Sequence, residues 1–185
     1  MTSFVRDVRN PIVQGLSDYL AVPVVLSEQT TPWPKNIQTG DYLPAFGYYA
    51  TINPYIPGWG SGNIERRTTP DGGIELVRTV EPTATLSFTF CAENRQGDDG
   101  PIFGEDEAMS LALKAIGWFE YVGRTQLSAQ GIAVLTIENA ASRTFLAIDD
   151  MVYRWGFDVE VRYTHIDVRR TGAIDENIII QQGGN

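Results

Sequence analysis

Residues 151–166, MVYRWGFDVEVRYTHI, alternate between apolar and polar side chains more strictly than any other segment of the chain. This period of two is typical of a β-strand with one buried face. Sixteen residues exceed the usual strand length of about five or six, so we predict a bend at Gly156. The predicted buried face carries Tyr153, Trp155, Phe157, Val159, Val161 and Tyr163.

Three further segments have the composition of strands. Residues 83–91, TATLSFTFC, alternate in the same way and predict a second half-buried strand. Residues 131–138, GIAVLTIE, predict another. Residues 42–56 are rich in aromatic and β-branched side chains but contain Pro44 and Pro54. Since proline cannot donate to a strand ladder, this third segment is predicted to be an edge strand.

A β-hairpin is predicted in the middle of the chain. Its first arm spans about 63–69, its turn is Pro-Asp-Gly-Gly at 70–73, and its second arm begins at Ile74. This hairpin belongs to a longer Pro- and Gly-rich insertion at about 55–82, which we expect to protrude. Residues 94–104, which contain two adjacent aspartates, are predicted to be an acidic loop.

Two amphipathic helices are predicted from apolar residues at helical spacing. The first covers 4–20, with Asn10 as a possible N-cap before Pro11. The second covers 105–122, with acidic residues in its first turn and Gly123 as C-cap. Its predicted buried stripe is Met109, Ala112, Leu113, Ile116, Phe119 and Val122.

The order of these elements predicts the fold class. Helix, strands, hairpin, helix and strands in succession favour an α+β fold with a mixed, mostly antiparallel sheet and about two packing helices. A length of 185 residues fits one domain, 1–185, with a C-terminal arm at about 166–185. No stretch approaches 18 apolar residues, so no membrane span is predicted.

The net charge of -9 narrows the classes of partner. Wrapping nucleic acid or docking on an anionic membrane needs a cationic surface, and only 14 basic residues stand against 23 acidic ones. Twelve of the 14 are arginine, which is enriched at protein interfaces; a base-composition bias of the genome is the alternative explanation. One cysteine excludes an internal disulfide and fits a reducing cytosol.

The chain offers little that resembles catalytic chemistry. Cys91 and His165 form the only possible thiolate pair, but both fall in predicted strands and no signature motif flanks them. A zinc site is excluded by the number of ligands. An ion among Asp98, Asp99 and Glu105 competes with the simpler explanation of a solvated loop before a helix. We therefore predict no enzyme, no cofactor and no metal, with a small hydrolase or ligand-binding domain as a further alternative.

Several residues instead suggest surfaces for protein partners. Aromatic side chains on loops often anchor interfaces, although they can also fold back over a sheet edge. The apolar C-terminal run could add a strand to a neighbouring subunit or complete its own sheet. The interface candidates are Trp33, Trp59, Arg66, Arg67, Arg169, Arg170, Ile178, Ile179 and Ile180.

The second half of the chain resembles the neck and tail-terminator proteins of tailed bacteriophages. The resemblance lies in the order of a strand, an acidic polar loop and a helix beginning Asp-Glu-Ala within 83–123. A strand, a link and the long aromatic strand follow within 131–167. The N-terminal helix and the middle hairpin also suit that family.

This resemblance implies a structural virion protein at the neck, assembled in the host cytoplasm. Such a protein forms a homohexameric ring that caps the tail tube and joins the head, and DNA passes through its centre without specific binding. The implied partners are the tail tube protein, the sheath of a contractile tail and a head-completion or connector protein. Asp98, Asp99 and Glu105 become candidates for the lumen or an acidic surface, and the insertion 55–82 for a contact with a neighbouring subunit or the sheath. The alternative in the same class is a head-completion or adaptor ring.

Overall fold

A five-stranded sheet with helices on one face organises the protein. The computed structural model describes residues 2–27, 34–54, 62–144 and 152–171. The helical elements are a π-helical segment Phe4–Arg9, α1 (Asn10–Leu20), α2 (Gly104–Gly117), a second π-helical segment Trp118–Val122, and α3 (Gly123–Ser128). The strands are β1 (Val24–Leu26), β2 (Ala45–Ile52), β3 (Asn63–Thr68), β4 (Ile74–Val80), β5 (Thr83–Glu93), β6 (Arg95–Gly97), β7 (Gly100–Ile102), β8 (Ile132–Ser142), β9 (Val152–Tyr163) and β10 (His165–Thr171).

The main sheet has the strand order β1-β2-β5-β9-β8, and all its pairs are antiparallel except β1 with β2. The two segments that alternate in sequence, β5 and β9, are neighbours at its centre. Phe88 faces Phe157 and Leu86 faces Val159, and all four side chains are fully buried. The α+β fold class is thereby confirmed.

Gly156 does not interrupt the strand in which the bend was predicted. Strand β9 pairs with β5 in one continuous register from Val152 to Arg162. The long alternating segment is divided later, at Thr164, where β9 ends and β10 begins in a different sheet. Gly156 serves another purpose: an added Cβ there would lie 2.7 Å from Nε of Arg143, whose side chain passes over it.

Strand β2 is internal, so the predicted edge position was wrong. It lies between β1 and β5 and pairs with β5 along its whole length. Pro44 and Pro54 fall outside Ala45–Ile52 and therefore interrupt no ladder hydrogen bond. The prolines mark the ends of the strand and carry no information about its neighbours.

The N-terminal helix is continuous through the position predicted as its cap. Asn10 has helical backbone angles, and the true N-cap is Ser3. The Ser3 hydroxyl accepts a hydrogen bond from the Arg6 N–H, while the Asp7 carboxylate accepts one from the Ser3 N–H at 2.7 Å. This reciprocal pair satisfies two backbone donors at the helix start.

The second helix also runs past its predicted end. Gly123 is helical, and an added Cβ there would lie 2.3 Å from the Trp118 ring, so this glycine makes room for a buried indole. The predicted buried stripe was wrong at Leu113 and Val122, which are exposed. The face against the sheet instead carries three alanines that allow close approach, one leucine and two aromatics: Ala108, Ala112, Ala115, Leu111, Trp118 and Phe119.

The acidic segment is a hairpin, where a loop was predicted. Strands β6 and β7 pair with Gly97 opposite Gly100, and Asp98 and Asp99 form the turn. Gly100 has a φ of 131°, which other residues rarely adopt. Strand β8 is also longer than predicted and has register shifts around Leu135 and after Glu138.

A second sheet of order β10-β4-β3 forms what we call the arm, residues 63–80 and 165–171. The predicted hairpin is confirmed: the Thr69 N–H donates to the Gly73 carbonyl at 2.9 Å, and Gly72 has a φ of 81°. The third strand, β10, comes from the predicted C-terminal arm and pairs with β4 over seven residues. Every residue of β3 is exposed.

Candidate interaction surfaces

The arm brings together all four arginines predicted as interface residues. Arg66 on β3 and Arg169 on β10 both lie directly opposite Leu76 on β4. Directly opposed residues share a face of an antiparallel sheet, so the two guanidiniums flank a half-buried leucine. Both arginines are exposed, and neither side chain makes a hydrogen bond or an ion pair within the described residues. We call this the arginine face of the arm.

The opposite face of the arm also carries two arginines, but these are paired. Arg67 and Arg170 both lie opposite Glu75. Nε of Arg170 donates to Glu75 at 2.8 Å, and this hydrogen bond raises the pKa of Arg170. Arg67 donates to Glu65, also at 2.8 Å. The two faces therefore differ in how much cationic charge is left for a partner.

A buried ionic group fixes the base of the arm. Nε of Arg78 lies 3.1 Å from Oδ2 of Asp167, and Nε2 of His165 lies 2.9 Å from Oδ1 of the same carboxylate. Burial alone would raise the pKa of Asp167, but the hydrogen bonds from Arg78 and His165 outweigh it and the pKa is lowered. The carboxylate therefore stays ionised at neutral pH and ties β10 to β4.

The three acidic candidates lie on consecutive elements at another part of the molecule. Asp98 and Asp99 form the exposed turn of the β6–β7 hairpin, and Glu105 is exposed in the first turn of α2. Arg95 in the hairpin makes a two-pronged ion pair with Glu107 of that first turn. We call residues 93–107 the acidic end; it contains six acidic residues and one arginine.

An aromatic side chain stands within the acidic end. Phe103, between the hairpin and α2, is 60% exposed. The neighbouring Gly104 N–H donates to the Asn94 side chain at 2.8 Å, which fixes the chain at this point. An exposed ring bordered by carboxylates resembles the core and rim of a protein interface.

The arm and the acidic end are attached at opposite ends of one strand. Strand β4 of the arm leads into β5 through Glu81 and Pro82, and the acidic end begins at Glu93, where β5 finishes. Eleven residues of strand span about 35 Å. One molecule therefore presents two surfaces of unlike charge, separated along the axis of its central strand.

The face of the main sheet opposite the helices carries a polar network that the sequence did not indicate. Arg143 donates to Ser87 at 2.8 Å, to Thr89 at 3.0 Å and to Asp158 at 2.9 Å. Burial would raise the pKa of Asp158, but hydrogen bonds from Ser87, Asn139 and Arg143 lower it. The only sequence signal was the glycine at 156, which leaves space above the sheet for the arginine.

The possible thiolate pair does not exist. Cys91 is buried and lies opposite Arg154, while His165 begins β10, about 30 Å further along the β9 direction. Burial raises the pKa of the Cys91 thiol to about 11. A buried thiol that stays protonated is a poor nucleophile.

Five of the predicted interface residues lie outside the residues that the structure describes: Trp33, Trp59, Ile178, Ile179 and Ile180. Within the described ranges, no three His, Cys, Asp or Glu side chains come together to hold a metal ion. In the same ranges, none of the helices combines the length and the apolar character needed to span a bilayer.

Comparison with known proteins identifies the family. No curated protein matches the chain. A family model described as phage neck terminator protein matches residues 10–184, which includes the whole main sheet, α1 to α3, the arm and the acidic end. The chain therefore belongs to the phage neck terminator proteins, a family of structural proteins of the tailed-phage virion.

Proposed function

We propose that this protein forms a homo-oligomeric ring, of six copies, that caps the tail tube and joins the tail to the head. The observation that carries the proposal is the family match over residues 10–184. In this ring the protein ends polymerisation of the tube and presents the surface on which the head docks. Its place is the virion neck, after assembly in the host cytoplasm.

The charge of the chain supports a passage for DNA through the centre of the ring. Each copy carries a net charge of -9, so six copies make a strongly anionic assembly. An anionic lumen repels phosphates and lets DNA slide without specific binding. Asp98, Asp99 and Glu105 contribute exposed carboxylates to this net charge.

The implied partners are the tail tube protein and a head-completion or connector protein, with the sheath protein in a contractile tail. Protein contacts of this kind need exposed surface that is not already paired within the subunit. The arm supplies such surface, since all of β3 and most of β10 are exposed. No catalytic step or cofactor is part of this function.

Deletion of the gene tests the proposal. Over-long tails, seen by electron microscopy, are expected if the protein ends tube polymerisation. Filled heads without tails would instead indicate a head-completion or adaptor ring, which is the alternative within the same class. The ring itself is tested by mass, where an assembly near six times 20.5 kDa is expected for the purified protein or for the cap isolated from tails. A deletion that leaves tails and heads normal would refute both roles.

A further inference from the structure

We propose that the arginine face of the arm docks on the acidic end of a neighbouring copy, in a head-to-tail contact that repeats around the assembly. This inference rests on the proposed ring and names the two surfaces that build it. The occupant of the arginine face is thus a second copy of this chain.

The first argument is charge complementarity within one chain. The arm carries five arginines and four acidic residues, whereas the rest of the chain carries nine basic and 19 acidic residues. The arm is therefore a cationic element on a strongly anionic protein. Each copy of the chain therefore carries an anionic surface that attracts the arm of another copy. Within the described ranges, acidic residues are most concentrated in the acidic end.

The second argument is the state of the charged groups on the arginine face. Arg66 and Arg169 stand about 10 Å apart, two strand spacings, and have no partner among the described residues. The acidic residue on that face, Asp167, is already held by Arg78. By contrast, the arginines of the opposite face are neutralised by their own glutamates, so only one face keeps cationic charge for a partner.

The third argument is the apolar centre of each surface. On the arginine face, Leu76 lies between the two arginines, and Ile64 on the same face is 44% exposed. On the acidic end, Phe103 is exposed among carboxylates. Interfaces typically place apolar and aromatic anchors at the centre and charged groups at the rim, and each surface has this arrangement with the opposite sign of charge.

The fourth argument is position. The two surfaces are attached at opposite ends of β5, about 35 Å apart. Since neither surface can pair with its own copy of like charge, the arm of one molecule needs the acidic end of another. When that molecule's own arm reaches a third copy, the contact is heterologous, repeats from copy to copy and closes into a ring if the rotation between copies allows it.

Charge reversal with mixing tests the contact in phage that lack the gene. One variant reverses the arm by Arg66→Glu and Arg169→Glu, and the other reverses the acidic end by Asp98→Lys and Asp99→Lys. Each variant alone is expected to lower the yield of infectious particles at least about 100-fold, because like charges facing each other cost several kcal/mol. Co-expression of the two is expected to restore the yield, since every contact in an alternating six-copy ring then joins opposite charges.

The matched control reverses the opposite face of the arm by Arg67→Glu and Arg170→Glu, and it is expected to complement as the wild type does. Thermal unfolding of each purified variant checks its fold. If the arm-reversed variant does not fold, Arg66→Gln with Arg169→Gln replaces it, and the contact predicts a partial loss that Asp98→Asn with Asp99→Asn in the same chain reduces. A partial loss that the two asparagines leave unchanged would contradict the contact. Complementation by the arm-reversed variant alone, or failure of two folded variants to rescue each other, would overturn the proposal. Either result would leave the tail defect of the deletion, and hence the proposed function, intact.

Discussion

Arg78 and Asp167 form a buried ion pair that joins the two chain segments of the arm at its base, 89 residues apart in sequence. Their side chains are 5% and 15% exposed. We expect Asp167→Asn to lower the free energy of unfolding by about 1–3 kcal/mol, because it removes the negative charge that accepts hydrogen bonds from the buried Arg78 guanidinium. Urea unfolding measures this. The control is Glu65→Gln, which removes the exposed pair with Arg67 and is expected to cost about 1 kcal/mol or less.

The Asp167 carboxylate also makes the stability of the protein depend on pH, and the direction of that dependence is known. The pKa of Asp167 is lowered in the folded state. The ionised carboxylate therefore contributes its full share to the free energy of unfolding above the ordinary aspartate pKa of about 3.9, and this share is lost as the pH falls through the pKa of the folded state. We therefore expect the stability difference between wild type and Asp167→Asn to shrink as the pH is lowered below about 4. A difference that stays constant down to pH 2 would contradict the ionised pair.

Two glycines of one continuous helical region should respond to alanine with opposite sign. At Gly123 a Cβ would meet the Trp118 ring at 2.3 Å, so Gly123→Ala is expected to lower the free energy of unfolding by about 1–3 kcal/mol. At Gly117 a Cβ meets no atom within 4 Å, so Gly117→Ala is expected to raise it by about 0.5–1 kcal/mol. Equal effects at the two positions in urea unfolding would show that the indole is not packed against Gly123.

The polar network over Gly156 should contribute to stability through Arg143. Its side chain donates to Ser87, Thr89 and Asp158. Arg143→Gln is expected to lower the free energy of unfolding by about 1–3 kcal/mol, since it leaves partly buried acceptors unpaired. Arg124→Gln is the control on an exposed helical arginine and should change stability by less than about 0.5 kcal/mol. The two variants carry the same charge change, so a similar cost for both would indicate a general effect of net charge.

The Cys91 thiol should be unreactive in the folded protein. Burial raises its pKa to about 11, so the thiolate is scarce at pH 8 and the sulfur is shielded from reagents. We expect no labelling by a thiol reagent at pH 8 without denaturant and complete labelling of the one cysteine in urea. Rapid labelling of the native protein would place the sulfur at the surface, contrary to the packing of Phe46 and Val152 around it.

The pattern of alternation was sufficient to predict the centre of the fold. Strand β9 and the first half of β5 follow their sequence pattern, because each has one face against the helices and a more exposed face opposite. From Phe88 to Ala92 both faces of β5 are buried, which the alternation did not predict. The internal position of β2 could not be predicted, since proline shows where a strand ends and not which strands flank it. The predicted buried face of α2 was wrong at Leu113, because the prediction selected the large hydrophobic side chains. In the structure, alanines occupy much of the face that packs on the sheet.

The sequence was sufficient to predict which arginines lie on the candidate surface, but not how they are arranged on it. The four arginines came from two dipeptides about 100 residues apart, and nothing in their spacing shows that Arg66 and Arg169 share one face. That follows only from the registers of β3 and β10 on β4. Arg143 was missed altogether, because an arginine that crosses a sheet depends on the empty space above Gly156, which no local pattern encodes.

The attachment of the arm has a mechanical consequence. Its two connections, at Thr83 and Tyr163, enter the main sheet at the same end of the adjacent strands β5 and β9. A pull on the arm is therefore directed along both central strands, and it loads their ladders with β2 and β8 in shear. Many hydrogen bonds then share the force at once, instead of opening one after another as they would at a sheet edge. The arm is therefore attached where a pulling force meets the ladders of both central strands together.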